Sequence, residues 1–232
     1  MVTGGAKRIG KAVALALAGR GYDIALHCRS SEADAEALAR TVQRSGRACE
    51  VFSCDLEDPV ALSGLVPAVR FVFPHCRLLV NNASVFERGA FWDVTPRLYD
   101  RLWAVNFRAP FFLTQAFAAE FKQGQVVNLC DTKAAKEFTS HFAYTLTKKA
   151  LVDFTRMAAK ALGPRIRVNA VAPGMILPSA EFGVADLDRL SKKIPLQRKG
   201  TVRDVVAAVL FLENNAYVTG ECVFVDGGEH LR

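Results

Sequence analysis

A tyrosine and a lysine four residues apart carry the most specific chemistry in this sequence. Tyr144 and Lys148 lie in a stretch with helical periodicity, and positions i and i+4 share one face of a helix. A free tyrosine titrates near about 10, and a nearby ammonium group favours the phenolate. We therefore predict that Tyr144 donates a proton to a substrate and that Lys148 lowers its pKa. The alternative is an ordinary surface helix. It is less favoured because this helix follows a predicted strand, and the end of that strand must face the same crevice as the ends of the other strands.

A glycine-rich turn near the start of the chain is suited to binding a phosphate. The segment Thr3-Gly4-Gly5-Ala6-Lys7-Arg8-Ile9-Gly10 lies between the end of a predicted strand and the start of a predicted helix. Glycines allow a tight turn and a close approach to a phosphate, and the helix N-terminus offers free N–H groups. Such turns also occur as plain loops, but this one is the first strand-to-helix turn, where nucleotides bind in α/β chains.

The end of the next predicted strand favours NADP(H) over NAD(H). An NAD-binding strand usually ends in Asp or Glu, which bonds the ribose 2′-hydroxyl and would repel a 2′-phosphate. Here the strand ends at Cys28, and Arg29 and Ser30 follow. A guanidinium with a neighbouring hydroxyl suits a phosphate, and Lys7 adds a second positive charge. The alternative is that Arg29 is a solvated loop residue.

Alternating apolar runs and helical patterns must position these groups. Such alternation predicts an α/β fold: a single-domain Rossmann fold over residues 1–232, with a doubly wound parallel sheet of about seven strands and helices on both faces. Strands are predicted at Met1–Thr3, Tyr22–Cys28, Ala48–Cys54, Arg77–Val80, Gln125–Cys130, Ile166–Val171 and Cys222–Val225. Helices are predicted at Ile9–Arg20, Ser31–Ser45, Pro59–Phe71, Pro96–Phe121, His141–Leu162 and Val202–Leu212.

Two segments depart from this regular pattern. The first predicted strand has three residues, which is short for a strand, so we expect that the natural chain begins upstream. Pro173–Pro195 is interrupted by prolines and glycines and is predicted to be irregular. We expect a mobile substrate lid at about residues 174–200.

Composition narrows the class of protein. The chain of 232 residues has a formal net charge of +7 without a long Lys/Arg run, which indicates a basic surface or attraction for anionic ligands rather than nucleic-acid binding. No stretch predicts a membrane helix or a signal peptide. The six cysteines form no Cys-x-x-Cys pair and are read as reduced, buried thiols of a cytoplasmic protein. The four histidines lack metal-ligand spacing, so no metal site is expected.

Taken together, the motifs resemble the short-chain dehydrogenase/reductase family over nearly the whole chain. The matching pieces are the Thr-Gly start, Asp55-Leu56, Asn81-Asn82-Ala83-Ser84, Asn106, Tyr144-x-x-x-Lys148, Arg167–Gly174, Tyr217–Gly220 and Asp226-Gly227-Gly228. The resemblance implies that Asn106 supports a proton relay through water and that Lys148 also holds the nicotinamide ribose. It also implies a homotetramer.

The motifs and the resemblance together define the candidate residues for the cofactor. These are Thr3, Gly4, Lys7, Arg8, Ile9, Gly10, His27, Arg29, Ser30, Asp55, Leu56, Asn82, Ala83, Ser84, Tyr144, Lys148, Pro173 and Gly174. By resemblance, Pro173 and Gly174 approach the nicotinamide. Asp55 would lie near the adenine, or else simply cap a helix.

Two departures from the family pattern indicate one branch of it. Arg8 stands where a glycine is usual, and Asp131 stands where the catalytic serine is usual, 13 positions before Tyr144. Both resemble the pteridine reductases and dihydromonapterin reductases. Phe86 is then a candidate for stacking on a pterin ring, or else a plain core or surface aromatic. A C-terminal arginine can enter a neighbouring subunit's site in such enzymes, so Arg232 is a weaker candidate. The predicted substrate contacts are Arg8, Phe86, Asp131, Tyr144 and Met175.

Three functions remain open from the sequence. The first is reduction of a dihydropterin, such as dihydromonapterin, dihydrobiopterin or dihydrofolate, by NADPH. The second is reduction of a carbonyl, as in a 3-oxoacyl-[acyl-carrier-protein] reductase; the cofactor residues fit it equally, but the missing serine argues against it. The third is a non-catalytic NADPH-binding sensor, which the unusual catalytic set suggests and the intact Tyr144–Lys148 pair opposes.

Overall fold

A computed structural model of the protein describes residues 1–178 and 181–232. The strands are β1 Ile24–Cys28, β2 Cys49–Ser53, β3 Leu78–Asn81, β4 Gly124–Leu129, β5 Ile166–Pro173 and β6 Cys222–Val225. The helices are α1 Arg8–Gly19, α2 Glu32–Arg44, α3 Pro59–Val72, α4 Pro96–Trp103, α5 Ala109–Phe121, α6 Phe142–Leu162, α7 Val184–Ser191 and α8 Val202–Asn214. Most begin and end close to the predicted bounds.

The strands form a parallel sheet in two parts, which are joined by a residue near the N-terminus. β1 pairs with β2, while β3, β4, β5 and β6 pair in that order. Val2 makes parallel bridges to both Leu26 and Val80, so it connects the two parts of the sheet. The described residues therefore form six strands and a bridging residue, where the sequence predicted about seven strands. The chain leaves Val2 towards β1 and β2 and later returns to its other side at β3, and ligands bind at such a reversal point.

Helices cover both faces of this sheet, as predicted. On one face, α1, α2 and α8 bury apolar side chains such as Val13, Leu38 and Val209. On the other face, α3, α5 and α6 bury side chains such as Leu65 and Phe117. Since every residue of β1 and β3 is buried, these strands read as continuous apolar runs rather than alternating ones. This packing holds the carboxyl ends of the strands in fixed positions at one edge.

The long helix predicted at Pro96–Phe121 is interrupted. Between α4 and α5, residues Ala104–Arg108 form a π-helical turn in which the N–H of Ala109 donates to the carbonyl of Ala104. Pro110 follows directly and has no N–H, so the carbonyl four residues earlier, that of Asn106, has no α-helical donor. Wide turns of this kind often occur at functional sites, and this one carries Asn106.

The sequence predicted that the stretch Pro173–Pro195 is irregular. The structure corrects this prediction, because the stretch contains the helix α7. The N–H of Gly183 donates to Asp186, which lies at the third position of this helix. Leu187 is buried on its inner side. Of the predicted lid at residues 174–200, Ser179 and Ala180 lie outside the described residues.

Candidate active site

A deep cleft opens at the carboxyl ends of the strands, where the topology places it. Its volume is about 1520 Å³, which exceeds the size of a typical site for one drug-sized molecule. Most of the predicted site residues line it: Gly4, Lys7, Arg8, Ile9, Gly10, His27, Arg29, Asp55, Leu56, Asn82, Ala83, Ser84, Phe86, Asp131, Tyr144, Lys148, Pro173, Gly174 and Met175. Three predicted residues, Thr3, Ser30 and Asn106, are not part of its lining.

The glycine turn packs directly against the end of β3. A Cβ on Gly4 would lie 2.9 Å from the Cα of Ala83, and Gly4 also has a φ of +59°. A Cβ on Gly10 would lie 2.5 Å from Nδ2 of Asn82. Thr3 acts from behind the cleft, since its Oγ1 accepts the N–H groups of Asn82 at 2.9 Å and of Ala83 at 3.0 Å. These contacts explain why the sequence has threonine at position 3 and glycine at position 4.

His27 faces the cleft and also holds the glycine turn. Its Nδ1 accepts the N–H of Gly4 at 3.1 Å, and its Nε2 lies 3.0 Å from the carbonyl of Cys54. This pattern places the proton on Nε2. Burial lowers the pKa of His27, which keeps the ring neutral. His27, which the sequence predicted to contact the cofactor, therefore also links the glycine turn to Cys54 at the end of β2.

The start of α1 has the donors that a pyrophosphate needs. No side chain of the described residues caps its first turn, and no acidic residue lies there. Its first N–H groups are free to bind an anion. Arg8 has a φ of +54°, a conformation that glycine adopts easily and other residues adopt at a cost of about 1 kcal/mol or more. Arg8 therefore keeps the backbone of the usual glycine while adding a guanidinium to the cleft.

The two cations predicted for the 2′-phosphate are paired with carboxylates. Lys7 lies 2.9 Å from Asp34, and Arg29 lies 3.1 Å from Glu57. Because all four side chains are about a third or more exposed, such pairs are worth only about 0–1 kcal/mol and a phosphate can compete for the cations. Their contact with a phosphate stays a prediction.

Asp55 does not cap α3, contrary to the simple alternative. Its Oδ1 accepts the N–H of Glu57 at 2.9 Å, while the cap of α3 is Asp58, which accepts the N–H of Val60 at 2.8 Å. Asp55 instead shapes the turn at the edge of the cleft. Its contact with an adenine stays a prediction.

Tyr144 and Asp131 form a short hydrogen bond at the centre of the cleft. The hydroxyl of Tyr144 donates to Oδ2 of Asp131 at 2.7 Å. Oδ1 of Asp131 accepts the N–H of Lys133 at 2.8 Å and lies 3.6 Å from Nζ of the same lysine. The residue in the usual serine position therefore contacts the proposed proton donor directly.

The pKa of Tyr144 shifts in the opposite direction to the predicted one. Burial, followed by the charge and the hydrogen bond of Asp131, raises the pKa of Tyr144 well above its ordinary value. Nζ of Lys148 donates to the carbonyl of Leu129 at 3.0 Å and lies 5.7 Å from the centre of the Tyr144 ring. Burial lowers the pKa of Lys148, opposed by Cys130 and Asp131. Burial and the neighbouring carboxylate together favour the phenol form of Tyr144.

Asn106 is buried beneath the cleft with its amide group fully engaged. Oδ1 accepts from the hydroxyl of Ser84 at 3.0 Å and from the N–H of Val85 at 2.8 Å. Nδ2 donates to the carbonyl of Val85 at 2.9 Å and to Thr147 at 3.4 Å. Asn106 therefore fixes the segment after β3 against α6. Its role in a water relay stays a prediction.

Phe86 belongs to an aromatic wall that the sequence analysis did not anticipate. Its ring stacks on His141 with centroids 4.4 Å apart and meets the edge of Tyr144 at 4.8 Å. Nζ of Lys133 lies over the rings of Phe86 and Phe138, at 5.4 and 4.8 Å. His141 precedes Tyr144 by three residues, which places both on one helical face and is the signal that would have identified it.

Glu181, in the predicted lid, ties that segment to this wall. Its Oε2 lies 2.6 Å from Nε2 of His141, and its Oε1 pairs with Arg88 at 3.4 Å. Burial lowers the pKa of His141, although the charge of Glu181 opposes this. A neutral His141 with its proton on Nε2 donates to Glu181 and accepts from Ser140 at Nδ1, 3.0 Å away.

Arg232 lines the cleft of its own chain. Its guanidinium donates to the carbonyl of Lys193, on the lid side of the cleft. Glu229, three residues earlier, lines the same wall and was not predicted.

Other site types were also sought among residues 1–178 and 181–232. Within this range no group of three or more His, Cys, Asp or Glu side chains is arranged to hold a metal ion. None of the helices in the described part of the chain is both long and apolar enough to cross a membrane. The six cysteines are free thiols, four of them buried.

Comparison with known proteins places this site in a family. A family model described as enoyl-(acyl carrier protein) reductase matches residues 4–230. The crystal structure of FolM alternative dihydrofolate reductase 1 from Brucella suis in complex with NADP is 40% identical in sequence. The match covers 100% of this chain and 94% of that one, with a TM-score of 0.95.

Two curated relatives carry different activities in their names. Pteridine reductase 1 of Leishmania tarentolae is 33% identical over 276 residues, covering 100% of this chain and 96% of the relative. The 3-oxoacyl-[acyl-carrier-protein] reductase FabG of Staphylococcus epidermidis is 28% identical over 239 residues, covering 100% and 98%. The predicted NADP(H)-dependent oxidoreductase is confirmed at the level of the family. The chain belongs to the short-chain dehydrogenase/reductase family of oxidoreductases.

Proposed function

We propose that this protein is an NADPH-dependent reductase that converts a dihydropterin, such as dihydromonapterin, dihydrobiopterin or dihydrofolate, to its tetrahydro form. The observation that carries the proposal is the 2.7 Å hydrogen bond from the hydroxyl of Tyr144 to Asp131. The similarity to an alternative dihydrofolate reductase and to a pteridine reductase supports the same substrate class.

The chemistry of the reacting bond explains why a carboxylate is useful here. A ketone reductase needs a second hydroxyl donor to the carbonyl oxygen, and an ionised carboxylate can only accept hydrogen bonds. A dihydropterin presents a C=N bond and several ring N–H groups instead. Asp131 can accept from such a group, and the hydroxyl of Tyr144 then turns its single proton from Asp131 to the ring nitrogen. The site therefore suits a nitrogen-rich ring better than a simple ketone.

Tyr144 supplies the proton for the reduced bond. NADPH, when bound, supplies the hydride that adds to carbon. The raised pKa of Tyr144 keeps its proton on the hydroxyl at neutral pH, so the donor form is present before the reaction. Lys148, held at 3.0 Å by the carbonyl of Leu129, brings a positive charge to the same wall. By analogy with the family, it holds the nicotinamide ribose.

The remaining residues bind and orient the two ligands. The free N–H groups of α1 with Arg8 hold the pyrophosphate, and Lys7 and Arg29 hold the 2′-phosphate. Phe86 offers aromatic surface beside Tyr144 for a flat substrate, and Met175 lines the same cleft. His141 covers part of Phe86, so the substrate stacks on the part of the ring that faces the cleft.

A carbonyl reductase is the second candidate. The intact Tyr144–Lys148 pair and the FabG relative favour it. The presence of Asp131 in place of a hydroxyl donor argues against it.

A substrate panel tests these alternatives. Purified protein and NADPH are given dihydromonapterin, dihydrobiopterin, dihydrofolate and an acetoacetyl thioester, and NADPH oxidation is followed. The proposal predicts turnover of at least one dihydropterin with a higher kcat/KM than the thioester. Turnover of the thioester alone would establish the carbonyl reductase. Tight NADPH binding without any turnover would favour the non-catalytic sensor.

We propose that the protein assembles as a homotetramer through the outer face of α4, α5 and α6. Phe111, Phe112 and Met157 are exposed there, by 37, 47 and 72%. Nε1 of Trp103 is buried beneath this face without a hydrogen-bond partner in the described chain. Exposed apolar surface of this kind is typical of an interface between subunits.

A further inference from the structure

The carboxylate of Glu229 lies in the wall of the cleft without a full set of partners. Its side chain is 17% exposed, and Oε1 lies 3.6 Å from Nζ of Lys136. Oε2 is shielded from solvent and has no hydrogen-bond partner in the described residues. A buried carboxylate oxygen without a donor is costly, and a ligand that brings an N–H group relieves this cost.

The fold holds Glu229 in the same cleft as Tyr144 and Asp131. Glu229 begins a short 3₁₀ turn after β6. Oδ2 of Asp226 ties this turn to the Asp131 segment, since it accepts from Thr132 Oγ1 at 2.6 Å and from the N–H of His230 at 2.8 Å. The position of Glu229 relative to Asp131 is therefore set by buried hydrogen bonds.

Gly174 leaves room for the Glu229 carboxylate. A Cβ on Gly174 would lie 3.0 Å from Oε2 of Glu229, so the carboxylate packs against this glycine. Gly174 is also the residue expected to approach the nicotinamide. A flat substrate stacked on the nicotinamide would therefore present its edge to Glu229.

We propose that Glu229 is a specificity-determining residue whose Oε2 accepts an N–H group from the amidine edge of a planar heterocycle in the cleft. The amidine edge is the 2-amino group with the adjacent ring N–H, as found in a 2-amino-4-oxopteridine. A simple ketone has no such donor and leaves Oε2 unpaired. The inference rests on the proposed function and names the part of the substrate that this site recognises.

The charges around Glu229 give the interaction a pH dependence. Burial raises the pKa of Glu229; Lys136 and Lys133 oppose this rise, and Asp131 and Asp226 add to it. A carboxyl group that becomes protonated loses its ability to accept two hydrogen bonds. Affinity for the amidine edge should therefore fall as the pH drops through this raised pKa.

Two variants and a matched control test the proposal. Glu229→Gln and Glu229→Ala are compared with Glu50→Gln, an exposed glutamate on β2. For a 2-amino dihydropterin we expect KM to rise roughly tenfold to a hundredfold, as for a lost hydrogen bond to a charged group. The kcat, the NADPH Kd and the KM for an analogue lacking the 2-amino group should change little. An unchanged KM, or an equal rise in KM for the 2-amino dihydropterin and for the analogue without the 2-amino group, would overturn the proposal. A selective loss of NADPH affinity would also overturn it, because Glu229 would then contact the nicotinamide amide instead.

A binding measurement separates this proposal from the proposed function. Binding of 2-amino-4-oxopteridine to the NADP⁺ complex is measured by fluorescence between acidic and neutral pH. In one outcome, the wild type turns over no dihydropterin but binds this ring. If Glu229→Gln then weakens binding and abolishes the decrease in affinity at acidic pH, the proposed function fails and the inference stands. If the wild type reduces dihydropterins and the variants bind the ring equally well, the inference alone fails. No binding by the wild type also overturns it.

Discussion

At the level of single residues, the proposed chemistry depends on the contact between Tyr144 and Asp131. A carboxylate beside a phenol stabilises the protonated phenol, because a phenolate next to it would place two negative charges together. Burial and, after it, this carboxylate raise the pKa of Tyr144 well above its ordinary value. The hydroxyl of Tyr144 therefore carries its proton at neutral pH, whether or not Lys148 acts on it.

Replacing Tyr144 by phenylalanine removes the proposed proton donor and its hydrogen bond to Asp131, but keeps the aromatic ring. We expect Tyr144→Phe to lower kcat by roughly 10²–10⁴-fold, the usual contribution of a general acid, while the NADPH Kd stays close to that of the wild type. Steady-state kinetics and NADPH fluorescence measure the two quantities. Because the pKa of Tyr144 is raised, wild-type kcat should also show no loss from its deprotonation between neutral pH and about 10. Retained turnover in the variant would refute its role.

Sequence reasoning predicted most of the residues that now line the cleft, but not their electrostatics. Tyr144, Lys148 and Asp131 follow from motif and spacing, since these place side chains on one helical face or at one strand end. The direction of the Tyr144 pKa shift does not, because it depends on burial and on the charge of Asp131. Glu229 was missed because its position is set by Asp226, through contacts distant in sequence.

At the level of elements, the carboxyl ends of the strands bring the site together. The strands and most helices were predictable because buried parallel strands form apolar runs and helices show their own period. The π turn at Ala104–Arg108 was not, because the apolar pattern continues through it and only Pro110 marks the change. The helix α7 was missed because prolines and glycines surround it.

The contact between Glu181 and His141 joins the lid to the aromatic wall. Glu181→Ala removes the acceptor at 2.6 Å and frees both the lid and the ring that supports Phe86. We expect the KM for the substrate to rise by roughly tenfold, the size of one hydrogen bond to a charged group, with little change in NADPH affinity. Glu137→Ala is the control, since Glu137 is 89% exposed and pairs only with Lys149 among its described ion pairs. Equal KM values for the two variants would show that the lid contact does not position the substrate.

At the level of the whole molecule, the aromatic face of α4, α5 and α6 is the surface best suited to assembly. Rings continue across it, with Trp103 and Phe107 5.4 Å apart and Phe111 and Phe154 5.2 Å apart. Only part of this surface is buried within one chain. Burial between subunits would remove the exposed remainder from water.

A charge on this face should separate the subunits without unfolding them. Phe112→Glu places a carboxylate where the tetramer would be dry, whereas Phe112 is 47% exposed in the single chain and contributes little to its core. Light scattering of the wild type should give the mass of a tetramer, and the variant a smaller species with an unchanged circular dichroism spectrum. A wild-type monomer, or a variant of unchanged mass, would exclude this interface.

The most direct test of the central claim exchanges Asp131 for the usual hydroxyl. The kcat/KM for dihydromonapterin, divided by that for an acetoacetyl thioester, is measured for the wild type and for Asp131→Ser. If the carboxylate that accepts from Tyr144 suits the site to a nitrogen-rich ring, the ratio favours the pterin in the wild type. It should then fall by roughly tenfold or more in the variant, the effect of one charged hydrogen bond. A wild-type ratio that favours the thioester, or a ratio that the substitution leaves unchanged, would contradict the account.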